Sequence, residues 1–316
     1  MSSDPRGGRP QQWRPTAKRR FQDLVRRGLA LPWEGAFAAL GALDRRRPER
    51  WRPADGHPVL VVSPHPDDEV HGCGGTILLH RAAGDPVTVL HVTDGRASRA
   101  LGLGPDEMAR RRRGEAEAAA EVLGLTDMEW LGFPEGAWGE SDVAAALGSA
   151  VDRLRPSLIY APSTVDFHPE HRGVALALAR ALGQCDAGAL PPRLRVYPVQ
   201  VPLTRILVNR LAATGDVAAT SRAALETYAT QVGALRSSLR MKRYAALRYR
   251  AGTQAEVFWE LPADDYRDMV LASADPVCPP SRPLYRGVRR LPFSDPLAYL
   301  RGRRARRRLG AIAARE

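Results

Sequence analysis

The chain has 316 residues, 44% of them apolar, which suits one large globular domain with appendages. No stretch reaches the ~18–20 uninterrupted apolar residues of a membrane span, and the basic N-terminus lacks the apolar core of a secretory signal, so a cytoplasmic protein is expected. The net charge of +12 is concentrated at the ends: residues 1–53 carry 13 basic and 5 acidic side chains, residues 281–316 carry 11 and 2, and the stretch between is net acidic. That distribution argues against a domain that grips nucleic acid with its main surface.

In chain order, residues 1–16 are rich in Gly, Pro, Gln and Arg and read as disordered. Residues 18–27 have the pattern of a short basic amphipathic helix, 29–43 are apolar enough to dock, and 45–56 read as a linker. The run 57–65 reads as a buried strand, and the glycines 72, 74 and 75 lead into a helix. A second strand spans 86–95, a helix 105–123 and a third strand 127–133. A helix over 141–154 with Ser141 as its cap follows, then a strand over 157–163, a helix over 170–183, a strand over 194–200 and a helix over 217–231. Alternation at this interval predicts an α/β fold, Rossmann-like, with a mainly parallel sheet flanked by helices. Three parts are expected: a basic extension over 1–56, the main domain over 57–280 and a basic extension over 281–316. Cys73, Cys185 and Cys278 have no metal-finger spacing and read as small buried residues of a reducing compartment.

Ligands of such sheets lie beyond the carboxyl ends of the strands. There the first strand is followed by His65-Pro66-Asp67-Asp68-Glu69, and the fourth by Asp166-Phe167-His168-Pro169-Glu170-His171. His65 with Asp68, and His168 with His171, are spaced i, i+3, which turns two side chains toward one point. Imidazole and carboxylate without thiolate suit Zn²⁺ at a catalytic site, although another divalent metal fits the same donors. The expected ligands are His65, Asp68 and His171. Asp67 is then the base that takes a proton from an acidified water, and His168, if protonated, stabilises the oxyanion and then protonates the leaving amine. Asp166 and Glu170 orient the histidines. The set describes a water-activating amidase or deacetylase, with an esterase left open. The run Gly72-Cys73-Gly74-Gly75 lacks the dinucleotide-binding spacing, and two carboxylates at the turn would repel a pyrophosphate.

PHPDDE (64–69), VTDG (92–95), RGEAEAAAEVLG (113–124) and HPEH (168–171), and more weakly 223–231 and 255–258, make the chain resemble the PIG-L/LmbE-like zinc-dependent N-acetylglucosamine deacetylases over about 57–260. The resemblance implies removal of an N-acetyl group from a glucosamine-type sugar conjugate, small-molecule or lipid-linked, with the roles already given to His65, Asp68, His171, Asp67 and His168. It also implies a substrate-holding arginine early in the helix after the second strand, best matched by Arg112 among Arg110 to Arg113, and a pocket position for Asp94. Glu170 stands where the family usually has Asp, and Tyr228 where many members have His. The basic ends suggest contact with an anionic membrane surface; the alternative reading is a membrane- or nucleic-acid-binding protein with a vestigial metal site.

Overall fold

The computed structural model describes residues 17–43, 47–164, 166, 168–184, 192–203 and 205–273. The expectations for 1–16, for Cys185 and Cys278 and for 281–316 lie outside the described residues.

Eight strands form one sheet: β1 (Glu49–Arg50), β2 (Val59–Ser63), β3 (Val87–Thr93), β4 (Asp127–Phe133), β5 (Leu158–Pro162), β6 (Arg193–Tyr197), β7 (Arg210–Ala213) and β8 (Ala255–Pro262). Their order is β1-β7-β8-β6-β5-β2-β3-β4. All neighbours are parallel except β8, which runs antiparallel to both β6 and β7. The helices are α1 (Ala17–Leu43), α2 (Asp68–Ala82), α3 (Pro105–Leu123), α4 (Glu140–Leu154), α5 (Pro169–Leu182), α6 (Ala218–Glu226), α7 (Val232–Tyr249) and α8 (Ala263–Ser273). The α/β, mainly parallel architecture is the one expected.

The sheet is covered on both faces because its central strands are apolar on both. In β2, Leu60 and Val62 join the core formed with α4, α5 and α8, whereas Val59 and Val61 join the core formed with α2, α3 and α6. Every residue of β2 and of β5 is buried. The N-terminal segment is part of this body: α1 lies on α7, with Phe37 stacked on Tyr244 at 4.8 Å, and β1 adds an edge strand to β7. Gly41 makes that helix contact feasible, since a Cβ there would lie 2.5 Å from the carbonyl oxygen of Leu247.

Two local expectations are corrected. α4 is preceded by Gly139 as its N-cap, not Ser141, and no side chain caps it. The helix expected over 217–231 ends at Glu226; a 3-10 turn covers Ala229–Gln231, and α7 begins at Val232. The break frees two side chains for tertiary bonds, Tyr228 to Glu69 and Thr230 to Glu115.

The topology positions the site. From β2 the chain runs outward through β3 and β4, then crosses back to β5 on the other side of β2. The crevice at this reversal lies between the carboxyl ends of β2 and β5, where the two histidine-bearing segments emerge.

Candidate active site

α2 begins immediately after β2, so His65 to Asp68 form a tight entry into its first turn. Asp67 is the N-cap, and its backbone takes φ 124° and ψ −26°, a conformation that costs a non-glycine residue about 1–3 kcal/mol. Several contacts hold it there. Glu69 Oε2 accepts from Asp67 N at 3.0 Å and from Ser63 Oγ at 2.9 Å, and the Tyr228 hydroxyl donates to Glu69 Oε1 at 2.5 Å. Burial pushes the Glu69 carboxyl up to about 7. From α3, Arg112 donates through Nη2 to Asp67 Oδ1 at 2.8 Å and to the carbonyl of Pro66. Arg112 is the buried member of its arginine run; Arg111 pairs with Glu115, and Arg113 pairs with Glu117 and lies over Trp130. Gly95, at φ 68°, leaves the room that Arg112 needs: a Cβ there would come within 2.7 Å of its side chain.

α5 begins after β5 with Pro169 in its first turn and His168 as its N-cap, so His171 looks back at the β2 crevice. Three atoms meet there. His65 Nδ1 is 3.1 Å from Asp68 Oδ2 and 3.2 Å from His171 Nε2, and His171 Nε2 is 3.1 Å from Asp68 Oδ2. A tetrahedral cation with bonds of about 2.0–2.1 Å separates its ligand atoms by about 3.3 Å, so this near-equilateral triangle fits a zinc-type ion. The other ring nitrogens face carboxylates: His65 Nε2 donates to Glu170 Oε2 at 2.7 Å, and His171 Nδ1 lies 3.3 Å from Asp166 Oδ2. Carboxylates behind both imidazoles fix which nitrogen points into the triangle. Glu170 is itself held through Oε1, by Trp138 Nε1 at 3.1 Å and by the backbone N–H of Gly136.

The electrostatics are those of an acidic cluster. Burial disfavours charge on His65, but Asp68 and Glu170 outweigh it and raise the ring to about 9. Burial likewise opposes charge on His171 and Asp68, yet their mutual attraction raises His171 and holds Asp68 well below the usual carboxylate range. A bound cation would replace those protons. His168 differs: burial and the neighbouring His65 and His171 rings lower it to about 4, leaving it neutral at neutral pH. Its ring is 4.5 Å from that of His65, centre to centre.

Both oxygens of Asp94 are engaged in loop structure. Oδ1 accepts from the backbone N–H groups of Arg96 and Glu135, and Oδ2 pairs with Arg96 Nε at 2.6 Å. Glu135 itself is a site residue absent from the sequence reading. Its Oε1 lies 3.6 Å from His65 Nε2 and 3.7 Å from His168 Nε2. Two overlapping groups can therefore gather around an ion at this place, His65 with His168 and His171, and His65 with Glu135 and Glu170. The signal for Glu135 was its position just beyond the carboxyl end of β4.

Residues 60–182, which span the whole crevice from β2 to α5, match the family model PIG-L, described as GlcNAc-PI de-N-acetylase. The match covers less than half of the chain. The chain is 30% identical over 202 residues, half of its own length, to a 1D-myo-inositol 2-acetamido-2-deoxy-alpha-D-glucopyranoside deacetylase of Kineococcus radiotolerans, of which it covers 56%. It is 34% identical over 136 residues, 40% of its length, to a probable N-acetyl-alpha-D-glucosaminyl L-malate deacetylase 2 of Bacillus cereus, of which it covers 61%. The chain thus spans less than two thirds of these relatives. Among solved structures, the N,N'-diacetylchitobiose deacetylase of Pyrococcus horikoshii shares the fold with a TM-score of 0.59 at 22% identity, over 81% of this chain and 96% of that one.

Proposed function

We propose that the protein is a zinc-dependent N-deacetylase that hydrolyses the acetamide of an N-acetylglucosamine-type sugar conjugate, giving acetate and the free amine. The observation that carries this reading is the triangle of His65 Nδ1, Asp68 Oδ2 and His171 Nε2, with a second carboxylate, Asp67, on the adjacent residue. The curated relatives act on N-acetylated amino sugars, which favours that substrate class over simple amides or esters.

His65, Asp68 and His171 would hold the ion, with Glu170 and Asp166 fixing the two imidazoles. The ion supplies Lewis acidity, which lowers the pKa of water and polarises the amide carbonyl. Asp67 takes the proton of the attacking water, its carboxylate oriented by Arg112. The strained turn at Asp67, clamped by Glu69, keeps the carboxylate from relaxing away. His168, neutral before reaction, donates a hydrogen bond to the oxygen where negative charge develops. The water proton held by Asp67 passes to the leaving nitrogen as the C–N bond breaks, so that acetate and the free amine leave and both side chains return to their starting state.

The test is acetate release from a panel of N-acetylglucosaminides by zinc-loaded protein, with chelated protein alongside. Release that requires the metal supports the reading; no acetate from any member at full zinc occupancy refutes it.

A further inference from the structure

Just behind the base Asp67, α2 carries the run Gly72-Cys73-Gly74-Gly75, for which the deacetylase chemistry gives no reason. The residue before that run, His71, is buried, with 6% of its side chain exposed, and sits one turn along α2 from Asp67. Its backbone N–H donates to the Asp67 carbonyl at 3.0 Å, and its Nε2 lies 3.5 Å from Asp67 Oδ2. The other oxygen of the base, Oδ1, accepts from Arg112 Nη2 of α3 at 2.8 Å. The two oxygens of one carboxylate are thus addressed from two different helices.

The glycine run lets α7 and β8 fix where His71 points. The N–H groups of Gly75 and Thr76 donate to the two oxygens of Glu256, at 2.9 and 2.8 Å. In a regular helix those groups face the carbonyls of His71 and Gly72. A Cβ at Gly75 would lie 3.1 Å from Glu256 Oε1 and 2.6 Å from the Thr214 side chain, and one at Gly72 would overlap the Tyr197 ring. Lys242 Nζ, paired with Glu256 Oε1 at 2.6 Å, also donates to the carbonyl of Val70 at 3.1 Å. Ser238 Oγ donates to the carbonyl of His71 at 3.4 Å. The α2 turn that bears His71 is therefore gripped at its carbonyls by α7 and at the N–H groups beyond it by β8.

A carboxylate plane turns easily about its Cβ–Cγ bond, because that torsion has broad wells. A donor on one oxygen leaves part of this freedom, and donors on both remove it. An ionised carboxylate only accepts, so a bond to Oδ2 requires His71 to carry its proton on Nε2. Two such donors still leave lone pairs for the attacking water, since a carboxylate offers about four acceptor sites. We infer that His71 is a positioning residue: it donates through Nε2 to Asp67 Oδ2 and, opposite Arg112, holds the plane of the carboxylate that takes the water's proton. The inference rests on the deacetylase reading for the role of Asp67, and on the contacts of α2 for that of His71. Loss of a hydrogen bond to a charged group corresponds to about tenfold or more in kcat.

The experiment measures kcat, KM and Zn²⁺ affinity in the zinc-loaded full chain and in His71→Leu and His71→Gln, with thermal unfolding alongside. Glutamine keeps a side-chain N–H donor, and leucine does not. In parallel, NMR of the ¹⁵N-histidine-labelled, zinc-loaded parent reads which ring nitrogen of His71 holds the proton, independently of turnover and of whether either variant folds. The expected result is a loss of about tenfold or more in kcat in His71→Leu, with KM and Zn²⁺ affinity within about twofold of the parent. Most of that kcat returns in His71→Gln, and the parent shows the Nε2–H form. Parental kcat in a folded His71→Leu, or a bare Nε2 in the parent, overturns the inference and leaves the deacetylase reading standing. A raised KM at unchanged kcat, or weakened Zn²⁺ binding, also overturns it, by making His71 a substrate contact or a support of the metal site. A loss that added imidazole restores and glutamine does not makes His71 a proton carrier and overturns the positioning role. No acetate from the parent sinks the deacetylase reading, and the tautomer then decides alone: Nε2–H upholds the hold on Asp67, and a bare Nε2 ends it.

Discussion

Glu170→Gln isolates the contribution of one carboxylate to metal holding. Glu170 Oε2 accepts from His65 Nε2 at 2.7 Å, while Oε1 accepts from Trp138 Nε1 and Gly136 N. Burial works to raise this carboxyl, but the His65 contacts and the Gly136 and Trp138 bonds outweigh it and hold it below its usual range. Glutamine has the same shape with one acceptor oxygen and one donor nitrogen. If its oxygen stays with Gly136 and Trp138, its N–H₂ meets the His65 Nε2–H donor to donor. His65 can escape by moving its proton to Nδ1, which removes the lone pair that the ion needs. Losing such an outer partner typically costs 10–100-fold in metal affinity, or about 1.4–2.7 kcal/mol. Competition of the protein against a chromophoric chelator for Zn²⁺ measures this directly, without turnover. Affinity within twofold of the parent would refute the role assigned to Glu170 and the choice of Nδ1 as the donor.

Asp67→Asn should bind Zn²⁺ as the parent does and lose about 10²–10⁴-fold in kcat, read by acetate release at saturating substrate; near-parental kcat would remove Asp67 as the base. Lys242→Met leaves the buried Glu256 carboxylate without its cation and should lower the unfolding free energy in urea by about 3–5 kcal/mol, with much of that loss recovered by adding Glu256→Gln; an unchanged midpoint would show that the pair contributes nothing. Stability should also depend on pH through His80, which burial lowers from 6.5 to about 4 despite its 2.6 Å contact with Asp85. The unfolded chain takes a proton on His80 below about 6.5 that the folded protein refuses until about 4. That part of the stability is therefore present above 6.5 and lost as pH falls to about 4. Urea unfolding at several pH values should show a shallower acid loss in His80→Gln than in the parent; parallel curves would count against it.

The elements the sequence revealed best are those whose local signals agree with their tertiary role. β2, β3 and β5 are rich in apolar and β-branched residues, and α3 runs from Pro105 to the residue before Gly124, which sits at φ 63° as its C-cap. The short β7, Arg-Leu-Ala-Ala, has no β-branched residue and is a strand because β8 and β1 pair with it on either side. The turn at Thr227 and Tyr228 interrupts an otherwise helical pattern because its side chains bond to α3 and to Glu69, which propensity does not register. In the site, residue type and spacing were enough to nominate His65, Asp68 and His171. Arg112 could not be separated from its neighbours by spacing, since only packing against Gly95 and Asp67 distinguishes it. Glu135 reaches the histidines from a loop with no ligand pattern of its own, carried there by the position of β4 beside β3.

The central claim is that one ion is shared by side chains from two segments about a hundred residues apart. Crystals grown with Zn²⁺ and measured at the zinc absorption edge test it most directly. The account predicts one anomalous peak per chain, about 2.0–2.2 Å from His65 Nδ1, Asp68 Oδ2 and His171 Nε2. A fully occupied peak elsewhere, with these three atoms left to one another, would contradict it.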